Sequence, residues 1–163
     1  MPYLVDGHNL IGAMPGHRLA DPDDEAMMIT RLRGFCAASG KAVTVYFDRG
    51  APGLPDPPQA GRLLVRFVPG SSSADRAIRA HLQRLRGEAR NWTVVSADRE
   101  VMAAARQAGA QALSSADFLR RLGQASLPTA GAEKPESPLS EMENAQLLRE
   151  FEAARRRKAA RRA

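Results

Sequence analysis

Cys36 is the single cysteine in a chain of 163 residues. One thiol cannot close an internal disulfide or build a thiolate metal cage. Its apolar neighbours Leu32 and Phe35 suit a small buried hydrophobe. No apolar run approaches the length of a membrane span. The opening Met1-Pro2-Tyr3-Leu4-Val5-Asp6 lacks the charged-then-apolar layout of a signal peptide, so a cytoplasmic location is expected. There is no internal repeat. No G-x-G-x-x-G follows the first apolar run, which removes the dinucleotide-binding reading. Asp6-Gly7-His8 offers neither paired acids nor Asp-x-Asp there, which ranks a phosphate-transfer protein of the receiver or phosphatase type last. His17 and His81 are isolated in sequence and suit surface or packing roles better than acid–base catalysis.

What the chain does hold is a hydrophobic content of 44%, enough for one domain with a real core plus an appendage. Charged residues make up 26%, ordinary for a folded protein. Lys and Arg number 24 against 18 Asp and Glu, a net charge of +6 that points toward polyanionic partners. Excess base also keeps proteins soluble, so nucleic acid is a prior rather than a conclusion at this point.

Tyr3-Leu4-Val5 is a short apolar strand ended by Asp6-Gly7, with Gly7 read as the residue that permits a sharp exit. Residues 12–24 read as loop. A helix follows from about Asp24 to Ser39, with acids at its start and Gly40 at its end. The β-branched and aromatic segment 42–47 predicts a strand ending at Asp48. Residues 49–61 hold four prolines (Pro52, Pro55, Pro57, Pro58) and predict an irregular loop, either a flap over substrate or a connector. A third strand spans 63–68. Ser71-Ser72-Ser73 offers N-cap hydroxyls for a helix from about Ala74 to Arg86. A strand from Trp92 to Ser96, a helix from Arg99 to Gln107 and a short strand at 111–113 come next. Ser114 caps a last helix reaching Leu122, with Asp117 at its third position as in a capping box.

Apolar strands alternating with helices indicate an α/β domain with a mainly parallel sheet covered on both faces. The expected organisation is a domain over 1–123, a linker over 124–138 and a basic helix or tail over 139–163. In that tail Leu147, Leu148, Phe151 and Ala154 form a narrow apolar stripe.

The acids fall in a pattern. Asp6 follows the first strand, Asp48 ends the second, Asp75 opens the helix after the third, and Asp98 follows the fourth. The carboxyl ends of parallel strands form the crevice where ligands bind, so these residues are expected to be neighbours. Crowded carboxylates repel unless a cation neutralises them, and Mg²⁺ or Mn²⁺ suits an all-oxygen site. The plainer reading is a helix cap, worth about 0.3–1 kcal/mol with no function attached. It competes well at Asp75 and Asp98, and less well at Asp6, where Gly7-His8-Asn9 is not a clear helix start.

Several segments together resemble NYN domains, a branch of the PIN-like nucleases. Val5-Asp6-Gly7-His8-Asn9-Leu10-Ile11 is similar to their opening strand and loop, and Val45-Tyr46-Phe47-Asp48 to their second strand. Ser73-Ala74-Asp75-Arg76 is similar to a Thr-Ala-Asp-Asp/Glu pattern, and Val94-Val95-Ser96-Ala97-Asp98-Arg99-Glu100 to Val-Val-Thr-Ser-Asp-Arg-Glu. Gly109-Ala110 followed by Ser114-Ser115-Ala116-Asp117-Phe118 resembles the family's closing element, and Pro138-Leu139-Ser140-Glu141 the C-terminal stretch of the YacP-like subgroup. The resemblance covers nearly the whole chain. It implies a three-layer PIN-like fold with a C-terminal helical extension, and a Mg²⁺- or Mn²⁺-dependent endoribonuclease, in some members acting on translation-associated RNA. It further implies Asp6, Asp75 and Asp98 as metal carboxylates, Asn9 as their hydrogen-bonding support, and cleavage leaving 5′-phosphate and 3′-hydroxyl ends. Asp48 belongs at the edge of the site, as a holder of metal-bound water. His8 departs from the family's Tyr, and Arg76 from a second acid.

Arg49, Arg62, Arg76 and Arg99 flank strand ends and are expected to contact RNA phosphates, and Arg79, Arg84, Arg86 and Arg90 to extend a basic stripe. Arg155, Arg156, Arg157 and Lys158 begin a terminal cluster that reads equally as a grip on RNA or the ribosome and as a solvated tail. The alternative function is a non-catalytic RNA-binding or ribosome-associated module of the same fold.

Overall fold

The computed structural model describes residues 1–16, 22–48 and 61–125. Most of the segment expected as a proline-rich loop, the expected linker beyond Ala125, and the segment expected as a basic C-terminal helix or tail lie outside the described residues, as does His17. Strand β1 (Tyr3–Asp6) is buried along its whole length. It passes directly into a short helix, α1 (Gly7–Gly12), and α2 (Pro22–Ser39) follows. Then come β2 (Val43–Asp48), β3 (Leu63–Val68), α3 (Ala74–Leu85) and a 3-10 segment over Arg86–Asn91. The fold closes with β4 (Thr93–Val95), α4 (Arg99–Gln107), β5 (Gln111–Leu113) and α5 (Ser115–Ala125).

The five strands form one sheet in the order β3-β2-β1-β4-β5, and every neighbouring pair is parallel. Alternate residues feed two cores, as the pleat requires. On one face Val5, Val45 and Phe47 pack with Leu10, Met28, Leu32, Phe35, Phe118 and Leu122 from α1, α2 and α5. On the other, Leu4, Tyr46 and Val94 meet Ile78, Leu82, Val101 and Ala105 from α3 and α4. The result is the three-layer α/β arrangement expected from the sequence. Burying each large apolar side chain contributes about 1.5–3 kcal/mol, so both faces matter to stability. Tyr3, Phe35 and Phe118 form an aromatic trio with ring centroids 5.0 to 5.7 Å apart.

Four local expectations are corrected. Residues 12–24 are not all loop, because α2 starts at Pro22, a residue whose fixed φ suits the first helical position. Gly7 does not serve a turn: its φ is not positive, and a Cβ there would run into the Phe47 ring. The helix after β3 stops at Leu85, since Arg86 has a φ of 46°, and the chain continues as 3-10. The last helix runs three residues beyond Leu122, to Ala125.

Candidate active site at the carboxyl edge of the sheet

Strand β1 is central, with β2 on one side and β4 on the other, so the chain order reverses beside β1. That reversal opens the crevice at the carboxyl edge of an open α/β sheet. Asp6 stands there, 3% exposed. Its Oδ1 accepts the Asn9 backbone N–H at 3.1 Å and its Oδ2 accepts Asn9 Nδ2 at 2.6 Å. Asp6 is therefore the N-cap of α1, the role that the sequence made to look least suited to it. Burial pushes its pKa up; the two Asn9 hydrogen bonds pull it down, and the Asp48 charge pushes it up again.

A cleft of about 340 Å³ opens over this carboxylate, lined by Asp6, His8, Asn9, Asp48 and Ala97 among others. The Asp48 N–H donates to His8 Nδ1 at 3.1 Å, so the neutral ring carries its proton on Nε2, which donates to Glu25 Oε1 at 2.8 Å. The Glu25 hydrogen bond raises the imidazole pKa against the effect of burial, and the charges of Glu25, Asp48 and Asp6 add to the rise. Asp48 Oδ1 accepts the Ala74 N–H at 2.5 Å.

Asp75 follows in the first turn of α3. Burial raises its pKa, the Asp98 charge raises it further, Arg79 opposes, and Asp6 and Glu100 add smaller upward pushes. Asp98 caps α4: its Oδ1 accepts Glu100 N–H at 2.6 Å and Val101 N–H at 3.3 Å. Its own N–H donates to Ser96 Oγ at 3.0 Å. Asp98 Oδ2 accepts no hydrogen bond from a described residue.

The structure thus brings Asp6, Asn9, Asp48, Asp75 and Asp98 to one edge, and gives three of the acids a structural task as well. Asp6 and Asp98 cap helices, and Asp48 holds the start of α3. Capping and ligation are not exclusive, because a carboxylate has more lone pairs than a cap consumes. Among the described residues no three His, Cys, Asp or Glu side chains stand close enough together to enclose one ion. The donor chemistry still fits Mg²⁺ or Mn²⁺, since Mg²⁺ keeps several waters and is held by one or two carboxylates rather than a closed protein cage.

The cations are placed less as expected. Arg76 and Arg99 are exposed in the first turns of α3 and α4 at this edge. Arg62 is at the opposite edge: it precedes β3, and its carbonyl accepts the Val43 N–H at the amino end of β2. Arg49, Arg155, Arg156, Arg157 and Lys158 lie outside the described residues. The cation that joins the acids is Arg79, whose Nη2 reaches Asp75 Oδ2 at 3.5 Å and Glu100 Oε2 at 2.9 Å. Its spacing of four from Asp75 was the available signal. Glu25, seventeen residues from His8, gave none. Asp117 has the capping role favoured for it: its N–H donates to Ser114 Oγ, and its carboxylate takes the Ser114 hydroxyl and Arg120.

The sequence pattern of the YacP-like NYN domain matches residues 3–159. The chain belongs to that family. It is similar to the crystal structure of Rae1 (YacP) from Bacillus subtilis, with a TM-score of 0.68 and 26% identity over 96% of this chain and 95% of that one. The W164L mutant of the same protein matches with a TM-score of 0.63 and 26% identity, over 77% of each chain. No curated protein matches the sequence. Membership of this YacP-like family gives the chain a nuclease-like, RNA-related fold. Among the described residues no helix is long and apolar enough to cross a membrane.

Proposed function

We propose that this YacP-like chain is a metal-dependent endoribonuclease that hydrolyses RNA phosphodiester bonds at the carboxyl edge of its sheet, with translation-associated RNA as the substrate class. The observation that carries the reading is the buried Asp6 carboxyl, pushed up by burial and by Asp48, beside an Asp75 pushed up by burial and by Asp98. Crowded acids of this kind call for a cation.

Asp6, Asp75 and Asp98 would hold Mg²⁺ or Mn²⁺, which when bound supplies an activated water near neutral pH and screening of charge on the scissile phosphate. Asn9 fixes both oxygens of Asp6. Asp48 fixes the start of the helix that carries Asp75. Arg76 and Arg99, exposed and without an ion pair among the described residues, would meet phosphate at the rim. Water attack in line with the leaving oxygen would leave 5′-phosphate and 3′-hydroxyl ends.

The alternative is an RNA-binding or ribosome-associated module of the same fold without turnover. It is favoured by Arg79, which already compensates Asp75 and Glu100 without any metal. RNA cleavage in Mg²⁺ or Mn²⁺ by wild type, Asp6→Asn and Asp98→Asn decides between them. Asparagine caps a helix as well as aspartate, so these variants remove charge while keeping α1 and α4 capped. A loss of about 100-fold or more is expected in each variant. RNA binding with equally negligible cleavage by all three proteins would leave the non-catalytic module.

A further inference from the structure

The carboxyl edge is not the only place where the chain presents ordered positive charge. Strand β3 is an edge strand, and α3 packs its Ile78 and Leu82 with Leu4 of β1, Tyr46 of β2 and, at the carboxyl end of β3, Val68. The face of β3 that alternates toward α3 is left partly uncovered: Leu64 is half-buried and Arg66 is exposed. Between this strand and the flank of α3 runs a notch of about 450 Å³. Leu64 and Ala77 give it apolar surface, Tyr46 and His81 a polar aromatic wall, and Arg66 and Arg84 two exposed guanidiniums. No acidic side chain lines it, and neither arginine has an ion-pair partner among the described residues.

The wall is held in place. Tyr46 O–H and His81 Nδ1 are 3.0 Å apart, and the His81 ring also packs on Trp92 with centroids 5.2 Å apart. Burial lowers the His81 pKa, and Arg84 and Arg66 lower it further, which places both guanidiniums near the imidazole. A neutral ring that accepts the tyrosine proton on Nδ1 keeps Nε2–H as a donor, a third group suited to an anion. The notch and the proposed site are built on the same elements. Arg66, Tyr46 and Asp6 share one register row across three strands. Along α3 the notch begins at Ala77, two residues past Asp75, and reaches Arg84, a run of about 10 Å at 1.5 Å per residue.

We infer that this notch binds the phosphodiester backbone of single-stranded RNA, through Arg66 and Arg84, as the strand leaves the carboxyl edge along α3. Two guanidiniums with no acid partner among the described residues suit phosphate oxygens, and contacts of this type give position and salt-dependent affinity rather than base reading. The identity of the ligand rests on the proposed RNA-cleaving function, so the test reads binding in the absence of cleavage.

The full chain is titrated into a fluorescein-labelled single-stranded RNA of mixed sequence in EDTA, with anisotropy read across a series of KCl concentrations. Arg66→Glu and Arg84→Glu are each expected to weaken binding by about tenfold. In the neutral pair Arg66→Gln/Arg84→Gln, the slope of log affinity against log salt should shrink by about 1.4, or 0.7 for each lost phosphate contact on a single strand. The pair Arg66→Lys/Arg84→Lys should keep most of the slope. Arg106→Glu, on the exposed last turn of α4, is the control and should have the smaller effect. Wild-type affinity and slope in the glutamine pair, with unchanged Trp92 fluorescence, would overturn the inference. So would displacement of RNA from wild type by polyglutamate as readily as by unlabelled RNA of equal charge, which would favour an acidic peptide. The two readings fail separately. RNA binding that depends on the notch without cleavage in Mn²⁺ sinks the nuclease reading alone, and cleavage with notch variants binding as wild type sinks this one alone.

Discussion

Asp48 accepts the backbone N–H of Ala74 at 2.5 Å, so the last residue of β2 holds the first turn of the helix that carries Asp75. The bond links two acids of the site through backbone rather than through a shared ion. Removing it should move α3 and its carboxylate. Asp48→Ala is expected to lower stability by about 1–2 kcal/mol, the usual cost of losing a side-chain acceptor at a helix start. Cleavage should fall with it. Asp48→Asn keeps an oxygen for Ala74 and should melt close to wild type, so its cleavage rate separates the tie from the charge. Equal melting of Asp48→Ala and wild type would show that the bond carries nothing.

Asp6 gives a test of stability against pH. A carboxyl whose folded pKa lies above its ordinary 3.8 favours the folded state fully below that value, and loses this contribution as pH rises through the folded pKa. At neutral pH without metal, the ionised Asp6 therefore costs stability. Asp6→Asn keeps the α1 cap, and Asn9 can turn its amide over to meet the new one. The variant should melt a few degrees above wild type at pH 7 in EDTA, with the gap closing as the pH approaches 4. Added Mn²⁺ should raise the wild-type melting temperature and leave the variant's nearly unchanged. A variant that melts below wild type at pH 7 in EDTA would show that burial does not burden this carboxyl.

Gly7 is fixed by the Phe47 ring and not by backbone conformation. Gly7→Ala should cost about 1–3 kcal/mol, the range for overpacking a tight core. In a Phe47→Leu background the same substitution should cost less, because the space it needs has been cleared. A double-mutant cycle read by denaturant melts checks this, and additive costs would mean that the ring does not set the constraint.

Much of the architecture was legible because β1, β2 and β3 are apolar runs with turn residues beyond them, and parallel strands buried on both faces have that composition. The convergence of Asp6, Asp48, Asp75 and Asp98 was legible for a related reason: the sheet is parallel, so strand ends meet at one edge. The same logic, applied fully, would have sent Arg62 to the far edge, because a residue before a strand cannot share the side of residues after one. Helix α1 escaped because Gly7, His8, Asn9 and Gly12 are poor helix formers. It is held by tertiary contacts, through buried Leu10 and Ile11 and the Asp6 cap, and none of these shows in local propensity. The His8–Glu25 pair was illegible for the same reason, since it joins two helices across residues whose sequence sets no spacing.

Arg79 decides how tightly the acids need a cation. Its Nη2 is shared between Asp75 and Glu100, and its buried Nε has no hydrogen-bond partner among the described residues. The guanidinium offsets the upward push that burial, Asp98, Asp6 and Glu100 exert on Asp75. Arg79→Gln leaves that push unopposed. The Asp75 pKa should rise, which a carboxyl-carbon NMR titration reads directly. Lost ion pairing at this partly exposed residue should cost about 0.2–1 kcal/mol without metal. With a fixed positive charge gone from the site, Mn²⁺ should bind several-fold more tightly, measured by calorimetry at neutral pH. Arg79→Lys keeps the charge and should bind Mn²⁺ as wild type does. If Arg79→Gln bound Mn²⁺ no better than wild type, Arg79 would be a brace between α3 and α4 and not a competitor for the acids. The RNA-binding reading would then lose the observation that favours it.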